Sequence, residues 1–171
     1  MILIIGLGNP GEKYKSNRHN VGYLVVDILR SLVKSKELIV KKTGSFMNNS
    51  GSFVKHFISL YPNIPISSLY VIHDDLDIKL GEFKIQFGKG PKDHNGLKSV
   101  DNELKTDQYW HVRVGVENRH SEITESISRG PVSRAKHWLS GGDYVLSDFT
   151  EEEKVILNGV IKQICNQLVK L

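Results

Sequence analysis

The chain has 171 residues, of which 39 % are hydrophobic and 25 % charged, a composition that excludes a disordered or fibrous protein. Its single cysteine, Cys165, excludes an internal disulfide, and no apolar run approaches the roughly 18 residues of a membrane span. We therefore expect a protein of a reducing compartment, the cytoplasm or an organelle. The net charge is +4, and residues 1–60 hold nine basic and three acidic side chains. A basic N-terminal third suits a partner that carries phosphate, but it equally suits a solvated lysine-rich surface.

Hydrophobic patterning predicts strands and helices in alternation. Short apolar or alternating runs predict strands at 2–5, 38–40, 69–72, 83–87 and 112–116. Apolar residues three or four positions apart predict helices at about 21–32, 50–61, 97–104 and 150–171. Ser50 is predicted to cap the second helix, and Thr150 with Glu153 has the pattern of a capping box.

These elements predict a single α/β domain over residues 1–171. We expect a twisted, mixed and mostly parallel sheet that is flanked by helices on both faces. Residues 117–142 are polar and weakly periodic, and they are predicted to form a long lid-like insertion.

Polar side chains collect where the predicted strands end and the predicted helices begin. Asn9, Asn48 and Asp74 follow the first three strands, and His19-Asn20 and His94-Asn95 precede two of the helices. In an open parallel sheet, ligands bind beyond the carboxyl ends of the strands. Each of these residues alone is more often a cap or a turn residue, but their coincidence at one edge predicts a shared crevice.

The chemistry of these side chains favours hydrolysis by an activated water. A neutral imidazole takes up a proton near neutral pH, and a carboxylate on its other nitrogen fixes the tautomer. His19 and Asp74 are predicted to form such a pair. Asparagine amides both donate and accept hydrogen bonds, so they suit an ester, an oxyanion or an attacking water.

Three other functions have weaker support in the sequence. Gly6, Gly8 and Gly11 match the dinucleotide-binding fingerprint, but no helix opens directly after them and no acidic residue ends the second strand. The acidic run at 73–77 could hold a divalent metal, although neighbouring residues on a strand point to opposite faces. A serine nucleophile is disfavoured because the sequence has no Gly-x-Ser-x-Gly motif. A cysteine nucleophile is disfavoured because Cys165 lies beside the apolar stripe of the last predicted helix.

Four motifs resemble those of bacterial-type peptidyl-tRNA hydrolases, and they occur in the order typical of that family. They are GLGNPG with Tyr14 and RHN (residues 6–20), FMNNSG (46–51), HDDLD (73–77) and HNGLK (94–98). Arg113-x-Gly115 and Tyr144-Val145-Leu146 extend the resemblance towards the C-terminus.

The resemblance implies a metal-independent enzyme that hydrolyses the ester between peptide and tRNA, without an organic cofactor, a dinucleotide or a membrane. It implies His19 as the base that activates water and Asp74 as the partner that orients it. Contacts to the peptide end and the water are implied for Asn9, Asn48 and Asn95, a groove lining for Tyr14 and Met47, and a tRNA phosphate contact for Arg113. We expect a monomer.

The chain departs from the family pattern at two places near the expected site. Lys92-Asp93 stands where the family usually has two glycines, and Gln86 stands at a position that is usually basic. These departures leave open a different class of function, a non-catalytic RNA-binding scaffold on the same fold.

Overall fold

The computed structural model describes residues 1–119 and 140–171. The strands are β1 (Ile2–Gly6), β2 (Leu38–Lys42), β3 (Leu69–Lys79), β4 (Phe83–Phe87) and β5 (Trp110–Glu117). The helices are α1 (Val21–Leu32), α2 (Ser50–Ser59), α3 (Asn95–Leu104), α4 (Gly141–Val145) and α5 (Glu151–Leu168). No helix in these two ranges is both long and apolar enough to cross a bilayer.

The strands form one sheet in the order β2-β1-β3-β5-β4. β1 runs parallel to β2 and β3, and β3 runs parallel to β5, whereas β4 is antiparallel to β5. The parallel strands therefore present their carboxyl ends at one edge, where the turns before α1 and α3 also lie. This arrangement confirms the predicted mixed, mostly parallel sheet.

A hydrophobic core covers each face of the sheet. On one face, α1 and α5 pack through residues such as Val25 and Ile161. On the other face, α2 and α3 contribute Val54 and Val100 to a second core. Helices therefore flank both faces, as predicted, and burial of these apolar side chains supplies the main driving force for folding.

Two sequence predictions about element ends are wrong, and one is confirmed. Ser50 does not cap α2: it is already the first helical residue, because the 3-10 turn Met47–Asn49 runs directly into the helix. β3 does not end at residue 72 but continues to Lys79, since residues 73–75 stay paired with β5 and the pairing resumes at Lys79 after a register shift. The capping box at Thr150 is confirmed, with its hydroxyl accepting the Glu153 N–H and the Glu153 carboxylate accepting the Thr150 N–H.

The predicted lid-like insertion at 117–142 falls mainly on residues 120–139, which lie outside the described residues. Its two ends are described. Glu117 is the last residue of β5, and Gly141 opens the short helix α4.

Candidate active site

His19 and Asp74 form a direct hydrogen bond at the edge where the parallel strands end. His19 lies in the 3-10 turn Arg18–Asn20 that leads into α1, and Asp74 lies within β3. The imidazole Nδ1 is 2.7 Å from Asp74 Oδ1, and both side chains are buried. An ionised carboxylate can only accept, so Nδ1 carries the hydrogen and Nε2 keeps a lone pair for a proton.

His94 is a second imidazole on the same carboxylate, and it was absent from the predicted pair. Its Nε2 lies 2.9 Å from Asp74 Oδ1, while its Nδ1 accepts the Leu97 backbone N–H at 3.2 Å as the cap of α3. Because Nδ1 accepts, Nε2–H must be the donor to Asp74. The sequence signal was the repeated His-Asn pair before a helix, which occurs at 19–20 and again at 94–95.

Two converging imidazoles keep the Asp74 carboxyl ionised. Burial alone would raise its pKa, but the attraction of His94 and His19 and their hydrogen bonds hold the pKa well below its usual range. The charge of Asp74 is therefore present when His19 takes up a proton, and it stabilises the resulting imidazolium.

The turn that carries His19 is held by a buried ion pair. The Arg18 guanidinium donates to both carboxylate oxygens of Glu153, at 2.8 and 2.6 Å, and neither side chain is exposed. It also donates to the backbone oxygens of Ser147 and Asp148. Charge-assisted bonds of this kind are about twice as strong as neutral ones, so they fix the turn against the start of α5.

The imidazoles and the carboxylate face a cleft of about 490 Å³. Of the predicted residues, His19, Asp74 and Asn95 line it. The rest of the lining comes from residues 91–93, residues 140–142, Val145, Leu76 and Asp77. A cleft of this size can hold a small part of a large substrate.

Asn9 and Met47 lie next to this group without lining the cleft. Asn9 Oδ1 accepts the Met47 backbone N–H at 2.8 Å, which leaves the Asn9 amide nitrogen to donate elsewhere. Asn20 pairs with the backbone of Asn9 through both atoms of its amide, which ties this loop to the His19 turn. Met47 Sδ packs so closely on Gly96 that any added Cβ there would lie 2.4 Å away.

Tyr14 and Asn48 stand further out. The ring of Tyr14 meets the exposed ring of Phe46 edge to face, with 6.3 Å between centroids. Asn48 is exposed in the 3-10 turn beside Met47. The two aromatic rings form a surface on which a flat or apolar group could rest.

Arg113 lies on β5, and its side chain is on the face of the sheet that carries Asp75, opposite to the face that carries Asp74. Its Nε donates to Asp75 Oδ2 at 2.7 Å and its Nη1 to Gln86 Oε1 at 2.8 Å, and the residue is only 7 % exposed. Its contact with tRNA phosphate stays a prediction, with Nη2 as the nitrogen that has no described partner.

The residues considered for a metal or a dinucleotide make other contacts in this structure. The ligand atoms of His19, Asp74 and His94 lie within 4.8 Å of one another, so these three could hold a cation. The hydrogen bonds, however, direct two N–H groups and no nitrogen lone pair towards Asp74. Gly6 of the dinucleotide fingerprint allows close packing, because a Cβ there would lie 2.3 Å from the Gly22 oxygen of α1. The fingerprint also requires a helix directly after the glycines, whereas α1 begins only at Val21.

Comparison with known proteins decides the family. The family model described as peptidyl-tRNA hydrolase matches residues 3–171. The chain belongs to the peptidyl-tRNA hydrolase family. A peptidyl-tRNA hydrolase of Aliarcobacter butzleri is 37 % identical over 186 residues, which cover 100 % of this chain and 92 % of that protein. One of Mycoplasma mobile is 37 % identical over 177 residues, covering 95 % and 88 %.

Solved structures give the same result for the fold. The crystal structure of the peptidyl-tRNA hydrolase from Acinetobacter baumannii has a TM-score of 0.76 at 25 % identity, covering 100 % of this chain and 87 % of that one. Within the peptidyl-tRNA hydrolase family, a histidine–carboxylate pair at a cleft fits the hydrolysis of an ester by water.

Proposed function

We propose that this chain hydrolyses the ester of peptidyl-tRNA by a water that His19 activates. Nε2 of His19 removes a proton from the water as its oxygen attacks the ester carbonyl. The tetrahedral intermediate then expels the 3′ oxygen of the ribose, which takes the proton back from the imidazolium. The products are a peptide carboxylate and a free tRNA, and no step needs a metal ion or an organic cofactor.

The roles proposed for the other residues follow from their free hydrogen-bonding groups. The Asn9 amide nitrogen, Asn48 and Asn95 are proposed to hold the peptide end and the water. Tyr14 and Met47 are proposed to line the peptide groove. Arg113 is proposed to contact a tRNA phosphate through its Nη2. Asn9, Met47 and Asn95 are supported by their position beside the His19 turn or in the cleft, whereas Tyr14, Asn48 and Arg113 are supported by the family motifs.

We further propose a monomer that acts in the cytoplasm. Cys165 is the single cysteine of the sequence, so the fold does without an internal disulfide, which suits a compartment that keeps thiols reduced. No observation favours the non-catalytic RNA-binding scaffold.

The observation that carries the mechanism is the 2.7 Å bond between His19 Nδ1 and Asp74 Oδ1. It directs the unprotonated nitrogen of His19 away from the carboxylate. The test is single-turnover hydrolysis of an N-blocked aminoacyl-tRNA by the parent protein and by His19→Ala, with a chelator present. General base catalysis is worth about 10²- to 10⁴-fold, and a loss of that size is expected with tRNA affinity nearly unchanged.

The matched control is His56→Ala, which removes an exposed imidazole from α2 and should leave the rate unchanged. Full activity of His19→Ala, or an equal loss of binding and rate, would contradict the role of His19. Abolition of the parent activity by the chelator would point instead to a cation at His19, Asp74 and His94.

A further inference from the structure

Lys92 carries a charged group on the wall of the cleft that also holds His94. Pro91, Lys92 and Asp93 line the cleft together with His94 and Asn95. Lys92 is exposed, so its ammonium group remains hydrated.

The neighbouring carboxylate does not neutralise Lys92. Asp93 Oδ1 binds the Lys98 ammonium at 2.6 Å, and this hydrogen bond and charge lower the pKa of Asp93. Within residues 1–119 and 140–171, Lys92 has no acidic partner. The Asp93 carboxylate thus forms its ion pair with Lys98 on the first turn of α3 and not with Lys92.

Two buried arginines near the site are engaged elsewhere. Arg113 binds Asp75 and Gln86 on the far side of β3, and Arg18 binds Glu153. Of the described residues that line the cleft, Lys92 is the one lysine or arginine. The described lining also carries the carboxylates of Asp74, Asp77 and Asp93, and Lys92 is its one lysine or arginine that can attract a phosphate.

We propose that Lys92 binds the phosphodiester that precedes the terminal nucleotide of the substrate RNA. This inference rests on the proposed function, because attack at His19 places the ester and its ribose in the cleft. The phosphate attached to that ribose then lies at the wall of the cleft rather than at a distant surface. Lysine suits such a phosphate because its ammonium is a compact charge on a flexible stem.

The size of the effect follows from the exposure of Lys92. A solvated contact between opposite charges contributes little, so we expect its loss to lower kcat/KM about two- to fivefold through KM. On single-stranded nucleic acid, each phosphate contact makes the plot of log binding constant against log salt concentration steeper by about 0.7.

The experiment compares three N-blocked aminoacyl esters: on whole tRNA, on the trinucleotide CCA and on adenosine, which has no phosphate. Lys92→Gln should lose kcat/KM on tRNA and on the trinucleotide but not on adenosine, and Lys92→Arg should restore most of it. Lys162→Gln, which removes an exposed lysine from α5 outside the cleft, is the matched control and should change nothing.

Each other outcome overturns the inference. An equal loss on adenosine would place Lys92 at the ester, a loss on whole tRNA alone would place its phosphate far from the terminus, and no loss would exclude a contact. Binding of a 3′-amide analogue of the trinucleotide, measured by fluorescence anisotropy, does not depend on turnover. If the parent protein hydrolyses none of the esters, the proposed function fails, while this binding measurement still decides the role of Lys92.

Discussion

Asp74 and Asp75 are neighbours on β3 with opposite surroundings. Asp74 faces the cleft and accepts hydrogen bonds from His19 and His94. Asp75 faces the other side of the sheet, where it accepts from Arg113 and from the backbone N–H of Asp77. Because successive side chains of a strand point to opposite faces of the sheet, these two consecutive carboxylates have different partners.

The comparison shows how the partner decides what a buried carboxylate can do. The charge of Asp75 is already balanced by a guanidinium, which is charged at all working pH values. The charge of Asp74 is held by two imidazoles, so it can respond when one of them gains a proton. Asp74 is therefore suited to catalysis, and Asp75 to holding β3 against β5 and β4.

The largest effect expected from breaking this comparison is on the rate of Asp74→Asn. The amide oxygen can still accept both hydrogen bonds, but the charge that stabilises the imidazolium of His19 is lost. We expect kcat to fall by about 10²- to 10⁴-fold, in line with other histidine–aspartate pairs, while tRNA affinity changes little. Single-turnover hydrolysis of an N-blocked aminoacyl-tRNA measures the fall, and a rate close to that of the parent would remove Asp74 from the mechanism.

Asp75→Asn makes the same chemical change one residue away and should act on stability instead. It leaves the Arg113 guanidinium buried without its counter-charge, and breaking a buried pair in this way costs about 3–5 kcal/mol. Urea unfolding of the two variants side by side measures the difference. Asp74→Asn leaves no buried cation behind, so its unfolding free energy should fall much less. A larger rate loss in Asp75→Asn than in Asp74→Asn would reverse the proposed division.

The sequence predicted the fold because hydrophobic periodicity marks each strand and helix locally. It predicted the His19–Asp74 pair because the carboxyl ends of parallel strands meet at one edge of the sheet. It did not predict that β3 continues through residues 73–77, since polar residues within a buried strand look like a turn. It also missed His94 as the second partner of Asp74. That contact depends on how far α3 approaches β3, which no spacing in the sequence reports.

The smallest expected effect concerns two imidazoles on the Asp75 side of the sheet. His111 Nδ1 lies 3.3 Å from His73 Nε2, and His73 Nδ1 donates to the Asp74 backbone oxygen. Burial lowers the pKa of His111 to about 4, with Arg113 adding to the effect, and burial together with His94 and His111 lowers that of His73 as well. Both rings are therefore neutral in the folded protein at pH values where the unfolded chain, with a histidine pKa of about 6.5, already binds protons.

Stability should consequently fall as the pH drops from about 6.5 towards 4, because the unfolded state takes up protons that the folded state does not. His111→Asn keeps an amide donor for His73 but removes one titrating group, so the fall should become shallower by up to about 1.4 kcal/mol per pH unit. Urea unfolding between pH 7 and pH 4.5 measures the slope, with the exposed His56→Asn as the control that should keep the parent slope. An unchanged slope in His111→Asn would mean that the His111 ring gains its proton in the folded state too. Water would then reach this side of β3, and the division between a catalytic Asp74 side and a closed structural Asp75 side would be weaker.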